Sequence, residues 1–335
     1  MKETLLLLLK EADGFLSGED IGRKLGISRT AVWKYIRALR QDGYQVEAVT
    51  NKGYHLVQGQ DILTAESVQA YRKTDRMGKR LLVLDTVDST NNVLRQLAEE
   101  GAEEGTTVIA LKQEAGRGRR GKTWVSQKGD GLFLSVLFRP SILPMETSAL
   151  TLMCGLSVAK MLRELGFDAW IKWPNDVKIN DKKVCGILTE MSAEMERVHY
   201  VIAGIGINVN HRQFPEELKD IATSLYLETG QTWEKAALAG RLLQWIETYY
   251  QAYLSGGFAA IQGEYSALCE TIGQEVMVLG KTPFSARGLQ VCADGALLVE
   301  KEDGTKETVV SGEVSIRRKI LGADNNENRA GGGQF

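Results

Sequence analysis

Apolar positions recur at helical spacing near the N-terminus and give way to strand-like runs further along. Leu5 to Leu9 make an apolar helical start that Lys10 closes. Ser17-Gly-Glu-Asp20 sets a capping hydroxyl three residues ahead of an acid, a variant of the capping box, and predicts a second helix through Ile21 and Leu25 to Gly26. Gly26-Ile27-Ser28 reads as a tight turn, and Ser28 caps a third helix whose apolar positions are Val32, Ile36 and Leu39. Trp33, beside that stripe, could approach DNA, but an aromatic between Val32 and Ile36 is expected in the core. Tyr44, Val46 and Ala48, then Tyr54 and Leu56, flank Asn51-Lys52-Gly53 and predict a β-hairpin. Residues 1–62 therefore read as a winged helix-turn-helix domain.

A larger domain is expected over residues 63–270. After a helical linker near Thr64 to Arg72, buried strands are predicted at Leu81–Asp88, Thr106–Lys112, Gly131–Arg139, Ala169–Trp173 and Val201–Asn208, with a long apolar helix from Glu146 to Leu165. Pro174 stops one strand and Asn180-Asp181-Lys182 turns the chain back through Lys183–Glu190, a hairpin that brings Lys172, Asp176 and Lys183 to the same end. Helices from Gln231 to Ser255 and from Phe258 to Cys269 close the domain. Short strands at Glu275–Leu279, Ser285–Val291, Ala296–Glu300 and Glu307–Val310, with glycine-bearing turns between them, predict a small β domain over 271–322. The polar, glycine-rich stretch 323–335 is expected to be disordered.

Composition adds exclusions. The chain has 335 residues, 43% hydrophobic and 25% charged, with a net charge of -2, so nothing global points to nucleic acid or membrane. Between Ile21 and Gln60, however, seven basic residues face only Asp42 and Glu47, a local excess of +5 that confines any nucleic-acid contact to the N-terminal unit. Lys24, Ser28, Arg29, Thr30, Lys34, Tyr35, Arg37 and Lys52 are the candidate DNA-binding residues, most of them off the apolar stripe of the third helix and suited to phosphates and major-groove base edges. The four cysteines form no CxxC pair and the three histidines stand apart from them, which argues against a protein-held metal or a disulfide framework. The Leu5 to Leu9 run is far shorter than the ~20 residues a membrane span needs, so a cytoplasmic protein with no membrane partner is expected.

The chemistry gathers in the middle. Ser89, Thr90 and Asn91 follow a strand end, where Ser89 is a helix cap on any reading and the three together suit a polar, uncharged ligand. Gly116-x-Gly118-x-x-Gly121 formally matches a dinucleotide fingerprint, but no apolar-periodic helix follows and its variable positions are Arg117, Arg119 and Arg120. It reads instead as a loop carrying guanidinium forks that closes over an anion. Lys183 sits among apolar residues, where a lysine needs an anionic partner. Gly204 and Gly206 allow close ligand approach in a buried strand that ends at Asn208.

Ser89-Thr-Asn, Gly116-Arg-Gly-Arg-Arg-Gly121, Lys172-Trp-Pro-Asn-Asp176, Lys183-x-x-Gly-Ile-Leu188 and Gly204-x-Gly-Ile-Asn208, in this order, resemble the biotin protein ligase family. With the helix-turn-helix ahead of them, the chain resembles its bifunctional class, in which the ligase is also the repressor of biotin operon genes. Asn92, Lys122 and Cys185 depart from the residues frequent at those places. The resemblance implies an α+β multidomain protein with a mixed-sheet catalytic domain like that of class II aminoacyl-tRNA synthetases and an SH3-like C-terminal barrel. It implies ATP, Mg2+ and biotin as cofactors and substrate, formation of biotinyl-5'-AMP, and transfer of biotin to a lysine of a biotin carboxyl carrier protein.

Carried over by motif, Ser89, Thr90, Asn91 and Gln113 surround the biotin head group, with Gly204 and Gly206 beside it. Arg117, Gly118 and Arg119 close over the biotin carboxyl and phosphate, and Lys183 stands at the acyl-phosphate junction. Arg119, Arg120, Lys172, Trp173, Asn175, Asp176, Asn208 and Arg317 fall on the ATP side, and Lys183, Arg119 and Asp176 are the catalytic candidates. The resemblance further implies a homodimer when the adenylate is bound, seated on palindromic operator DNA. A ligand-sensing repressor without ligase activity and a ligase for lipoate or another acid are the alternative readings.

Overall fold

The computed structural model describes residues 1–57, 61–124, 126, 129–279 and 282–310, together with the backbone of 315–318. The N-terminal unit comprises α1 (Lys2–Lys10), α2 (Gly18–Leu25), α3 (Arg29–Gln41) and a hairpin of β1 (Val46–Val49) and β2 (Gly53–Leu56). Its helix starts are those expected from local chemistry. Ser17 Oγ accepts from Asp20 N–H at 3.0 Å and Ser28 Oγ from Ala31 N–H at 3.2 Å, while α2 ends on Gly26 in the left-handed region. Leu5, Leu6 and Leu9 of α1 join Ile21, Val32, Ile36 and Leu39 in a core of their own. Gly53 is required at the base of the wing: its φ is +105°, and a Cβ there would overlap the Leu16 carbonyl. That carbonyl accepts from Tyr54 N–H at 2.8 Å.

Trp33 is not in the core. It is 51% exposed, because Val32, Ile36 and Leu39 already fill the buried stripe and the next residue along a helix is turned by ~100°.

The central unit runs α4 (Ala65–Tyr71), β3 (Leu81–Val87), α5 (Thr90–Glu99), β4 (Thr107–Gln113), β5 (Gly131–Phe138), α6 (Ser148–Glu164), β6 (Ala169–Lys172), β7 (Asp176–Ile179), β8 (Lys182–Glu194), β9 (Arg197–Asn208), α7 (Leu225–Thr229), α8 (Lys235–Gly256) and α9 (Gln262–Leu268). The strands form one mixed sheet in the order β3-β4-β5-β9-β8-β7-β6, parallel only between β3 and β4. One face is covered by α6 and α8, while Leu94 and Ala98 of α5 pack on the other against Val108, Leu137 and Ile202. Covered on both sides, β5 is buried throughout, which places Ser135 in the interior.

Beyond α9, β10 (Glu275–Leu279), β11 (Phe284–Val291), β12 (Leu297–Lys301), β13 (Lys306–Val309) and β14 (Ser315–Arg318) make an antiparallel sheet in the order β13-β12-β11-β10-β14. Val276, Val278, Val291, Leu297 and Val299 share the core of the central sheet. The Arg317 side chain and the stretch 323–335 lie outside the described residues.

Two polar clusters tie the N-terminal unit to the rest. The Lys10 ammonium pairs with Glu234 and lies 3.0 Å from Tyr71 Oη, which donates to Glu234 at 2.7 Å. Asp61, on the linker, pairs with the buried Lys235 and accepts from Asn210 at 2.8 Å; Lys235 Nζ also donates to the Gly129 carbonyl at 2.7 Å.

Candidate functional site

A cavity of about 870 Å³ opens along the ends of β4, β7, β8 and β9, beneath the loop after β4. Its chemistry changes from one end to the other.

At the end lined by hydroxyls and amides, Thr90 N–H donates to Gln113 Oε1 at 2.9 Å, and Gln113 Nε2 donates to Ser126 Oγ at 3.2 Å. Asn91 Nδ2 donates to Glu190 Oε2 at 2.7 Å. The buried Ser135 Oγ stands 2.7 Å from Thr90 Oγ1 and 2.6 Å from Asn91 Oδ1. Ser89 is at the N-cap position of α5, yet its hydroxyl makes no capping bond and lines the cavity instead. Gly204 is needed here, because a Cβ on it would overlap the Asn91 amide. Ser135 and Glu190 belong to this network although no sequence motif marks them. A lone hydroxyl inside the apolar run Gly131–Phe138 was the available signal for the first, since a buried polar group needs partners.

The floor is backbone. A Cβ at Gly186 or Gly206 would come within 2.7 Å or 2.6 Å of the Trp124 ring, so the indole lies flat on β8 and β9. Lys183 Nζ stands 5.3 Å from that ring's centroid, and Trp124 Nε1 is buried without a partner. Trp124, three residues past Gly121, is a cavity residue that no sequence motif singled out.

The charged end is built on the β7–β8 hairpin. Register sets Asp176 opposite Gly186 and Val177 opposite Cys185, followed by a bulge, which carries Lys183 back toward Asp176. Lys183 Nζ lies 2.6 Å from Asp176 Oδ1 and Lys172 Nζ 4.0 Å from Oδ2. The Lys183 contact is close but not aligned as a hydrogen bond, so Asp176 Oδ1 retains acceptor capacity. Arg119 donates to Asn175 Oδ1 at 3.1 Å. Burial holds the Arg119 guanidinium below its ordinary pKa, opposed by the nearby Asp176 charge, and burial also lowers the Lys172 ammonium, again against Asp176. Asn208 donates to the Thr223 carbonyl at 3.0 Å and closes this end with Phe214 and Ile221.

Three expected placements differ. Trp173 does not line the cavity: it is 1% exposed, and its indole N–H donates to the Gly295 carbonyl at 3.1 Å. Alternation along an extended strand turns it away from Lys172 and into the joint with the C-terminal sheet. Arg117 lies at the Thr90–Asn91 end, 3.3 Å from Glu190 Oε1 and donating to Asn92 Oδ1 at 2.5 Å. Arg120 reaches out of the loop to the Leu279 carbonyl of β10 at 3.0 Å while still bordering the cavity.

On the N-terminal unit, Lys24, Ser28, Arg29, Thr30, Lys34, Arg37 and Lys52 are exposed, as a nucleic-acid face requires. Tyr35 differs, packing partly onto the core. Arg40 does not project freely: it donates to the Val46 carbonyl at 3.0 Å and 2.6 Å and fixes the wing to α3. Among the described residues, no group of three His, Cys, Asp or Glu side chains could hold a metal, and no helix is long and apolar enough to cross a membrane.

Fold and site together define an enzyme-like ligand domain, built for a ligand that is polar at one end and anionic toward the other, that carries a helix-turn-helix unit in front. Residues 83–208 match the model of the biotin/lipoate A/B protein ligase family, and residues 2–55 match an HTH domain. The chain is 41% identical to the bifunctional ligase/repressor BirA of Bacillus subtilis, over 94% of this chain and 98% of that protein. It is 32% identical to the protein of the same name from Escherichia coli, over 93% and 96% respectively. The solved biotin protein ligase from Aquifex aeolicus in complex with biotin and ATP superimposes with a TM-score of 0.64 at 36% identity, covering 72% of this chain and all of that one. The chain belongs to the biotin/lipoate A/B protein ligase family, in its bifunctional ligase/repressor branch.

Proposed function

We propose that the chain joins biotin to ATP, forming biotinyl-5'-AMP and pyrophosphate, and passes biotin to a lysine of a biotin carboxyl carrier protein. The protein is a biotin ligase and a repressor, and the adenylate that serves the ligase is the corepressor. The observation that carries this reading is the grouping of Lys183, Asp176, Arg119 and Asn175 at one end of a cavity whose other end is a network of hydroxyls and amides.

The chemistry needs that polarity. A carboxylate resists attack by an amine, so its oxygen first attacks the α-phosphorus of ATP and expels pyrophosphate. The acceptor lysine, with an ordinary pKa of ~10.4, then attacks the acyl carbon as the free amine, and AMP leaves. In this reading Ser89, Thr90, Asn91 and Gln113 hold the head group, with Gly204 making room for Asn91 and Gly206 for the Trp124 ring beside it. Lys183 stabilises the charge that builds on the carboxyl and phosphate oxygens, and Arg119 closes over the adenylate once it has formed. Lys172, Asn175, Asp176 and Asn208 take the nucleotide side, and Asp176 orients Lys183. Gly118 lets the loop approach, and Arg120 anchors it. Arg117 closes the head-group end through Glu190 rather than the carboxyl. Mg2+ would arrive with ATP.

In the same reading the chain divides at 1–62, 63–270 and 271–322, and the C-terminal sheet is an SH3-like barrel. Adenylate favours a homodimer that sets two recognition helices on a palindromic operator, because only a ligand with greater affinity for the dimer can shift that equilibrium. These partners imply work in the cytoplasm. The test is ATP-dependent transfer of labelled biotin to a purified carrier domain, with operator binding followed in the same mixtures. Transfer, together with tighter operator binding when carrier is omitted, is expected. Transfer of labelled lipoate in place of biotin would overturn the substrate, and unchanged operator affinity would overturn the corepressor role.

A further inference from the structure

Apart from Met1, the large hydrophobic side chains left exposed on the N-terminal unit are Trp33, 51% exposed on α3, and Val49, 41% exposed on the first strand of the wing. Burial of the Val32, Ile36 and Leu39 stripe accounts for the rest of the helix but not for an indole in water. Trp33 lies on one flank of α3 with Arg29, Arg37 and Arg40, at helical spacings of four, four and seven residues. That flank borders the wing: Arg40 is bonded to Val46, and a Cβ on Gly18 would sit 3.4 Å from the Tyr54 ring of β2 and 3.8 Å from the Arg29 side chain. The Arg37 guanidinium carbon stands 5.7 Å from the Trp33 ring centroid, inside cation–π range, so the indole is held beside a cation rather than swinging free. An exposed aromatic ringed by arginines fits a surface that is apolar locally and anionic around it. The duplex major groove has that pattern where a thymine methyl stands between phosphates.

We propose that Trp33 is a specificity-determining DNA contact, its indole packing on a thymine C5-methyl while Arg29 and Arg37 neutralise the flanking phosphates. This rests on the repressor reading given above. Phosphate contacts set affinity without regard to sequence, so the arginines alone orient the helix but do not choose the site. A buried methyl contact adds discrimination of about fourfold, the worth of one CH2-sized group removed from water.

The test starts from a duplex selected out of a random-sequence library by the full chain in biotin and MgATP. Thymines are then replaced one at a time by deoxyuridine, which removes only the methyl, and binding is measured for the parent, Trp33→Ala and Trp33→Phe. The parent should lose about fourfold at one or two thymines of each half-site. Trp33→Ala should bind the unmodified duplex at least about tenfold more weakly and be indifferent to deoxyuridine at those positions, because the coupling between two contacting groups vanishes when either is absent. Trp33→Phe should recover part of both. Biotin transfer by all three proteins should be equal, which shows that the chain is folded. Parental affinity in Trp33→Ala would overturn the proposal, and so would a weaker Trp33→Ala that keeps the parent's full deoxyuridine sensitivity. If the parent itself selects no duplex, it is the repressor reading that fails.

Discussion

Across the β7–β8 hairpin, Lys183 Nζ lies 2.6 Å from Asp176 Oδ1, while Lys172 Nζ is 4.0 Å from the second oxygen of the same carboxylate. One acid therefore serves two cations that point into the cavity. Two ammonium groups could not share this end without it, and the arrangement favours an anionic ligand that can take over part of the role of Asp176.

Lys183 and Arg119 should separate by kinetics. Lys183→Ala is expected to slow pyrophosphate release by about 10²–10³-fold, the usual cost of removing one donor aimed at developing charge. Arg119→Gly should retain adenylation but free the adenylate, seen as biotin appearing on bystander proteins added to the mixture. Equal pyrophosphate release by Lys183→Ala and the parent would remove Lys183 from the first step.

Gly204→Ala should impair biotin before ATP. The added methyl overlaps the Asn91 amide, and Asn91 is pinned by Ser135 at 2.6 Å and Glu190 at 2.7 Å. Overpacking of this kind costs about 1–3 kcal/mol, so KM for biotin should rise about tenfold or more with KM for ATP unchanged. Asn91→Ala in the Gly204→Ala background should recover part of the stability lost, measured by thermal melting. A worse melt in the double variant would refute the clash.

Lys172 should give the ATP response an alkaline limb. Burial lowers its pKa, with Asp176 opposing, so the ammonium is lost at lower pH than from an ordinary lysine. KM for ATP should accordingly climb on the alkaline side below pH ~10.4, and Lys172→Arg, charged throughout, should move that limb upward. The same shift acts on stability in the other direction. Between the folded and unfolded pKa values the unfolded chain holds the extra proton, so this residue's contribution to stability rises with pH in that window. A KM profile identical in Lys172→Arg would exclude Lys172 from the nucleotide side.

Truncation should be sensitive to a single residue. The Lys235 side chain is 3% exposed and Asp61 is its acidic partner. A chain beginning at Asp61 should ligate like the parent, whereas one beginning at Ile62 strands a buried cation at a cost of about 3–5 kcal/mol. The difference should appear in thermal melting of the two truncated chains. Equal melting temperatures would mean that Gly129 and solvent suffice for Lys235.

What could be read from the sequence was whatever acts over a few residues. Ser17 and Ser28 cap helices because the N–H groups they satisfy lie three positions on. Asn180 and Asp181 turn the β7–β8 hairpin because both tolerate positive φ, 48° and 65° here, and that turn already brought Lys172, Asp176 and Lys183 together. The ordered motifs named the family for the same reason: each is a short run with its chemistry inside it.

Packing decided the rest. Ser89 has the right residue type and position for a cap, yet its hydroxyl makes no capping bond and the residue lines the cavity, while Asp88 accepts the Ser89 N–H. Trp173 and Trp33 exchange their expected places because core volume at one joint needed an indole and at the other was already full. Ser135 and Glu190 reach Asn91 from 44 and 99 residues away, across strands whose adjacency exists only once the sheet has formed. Periodicity carries no information about contacts at that separation, so the sequence determined which elements form and which motifs they bear, and the assembled sheet determined which side chains share the site.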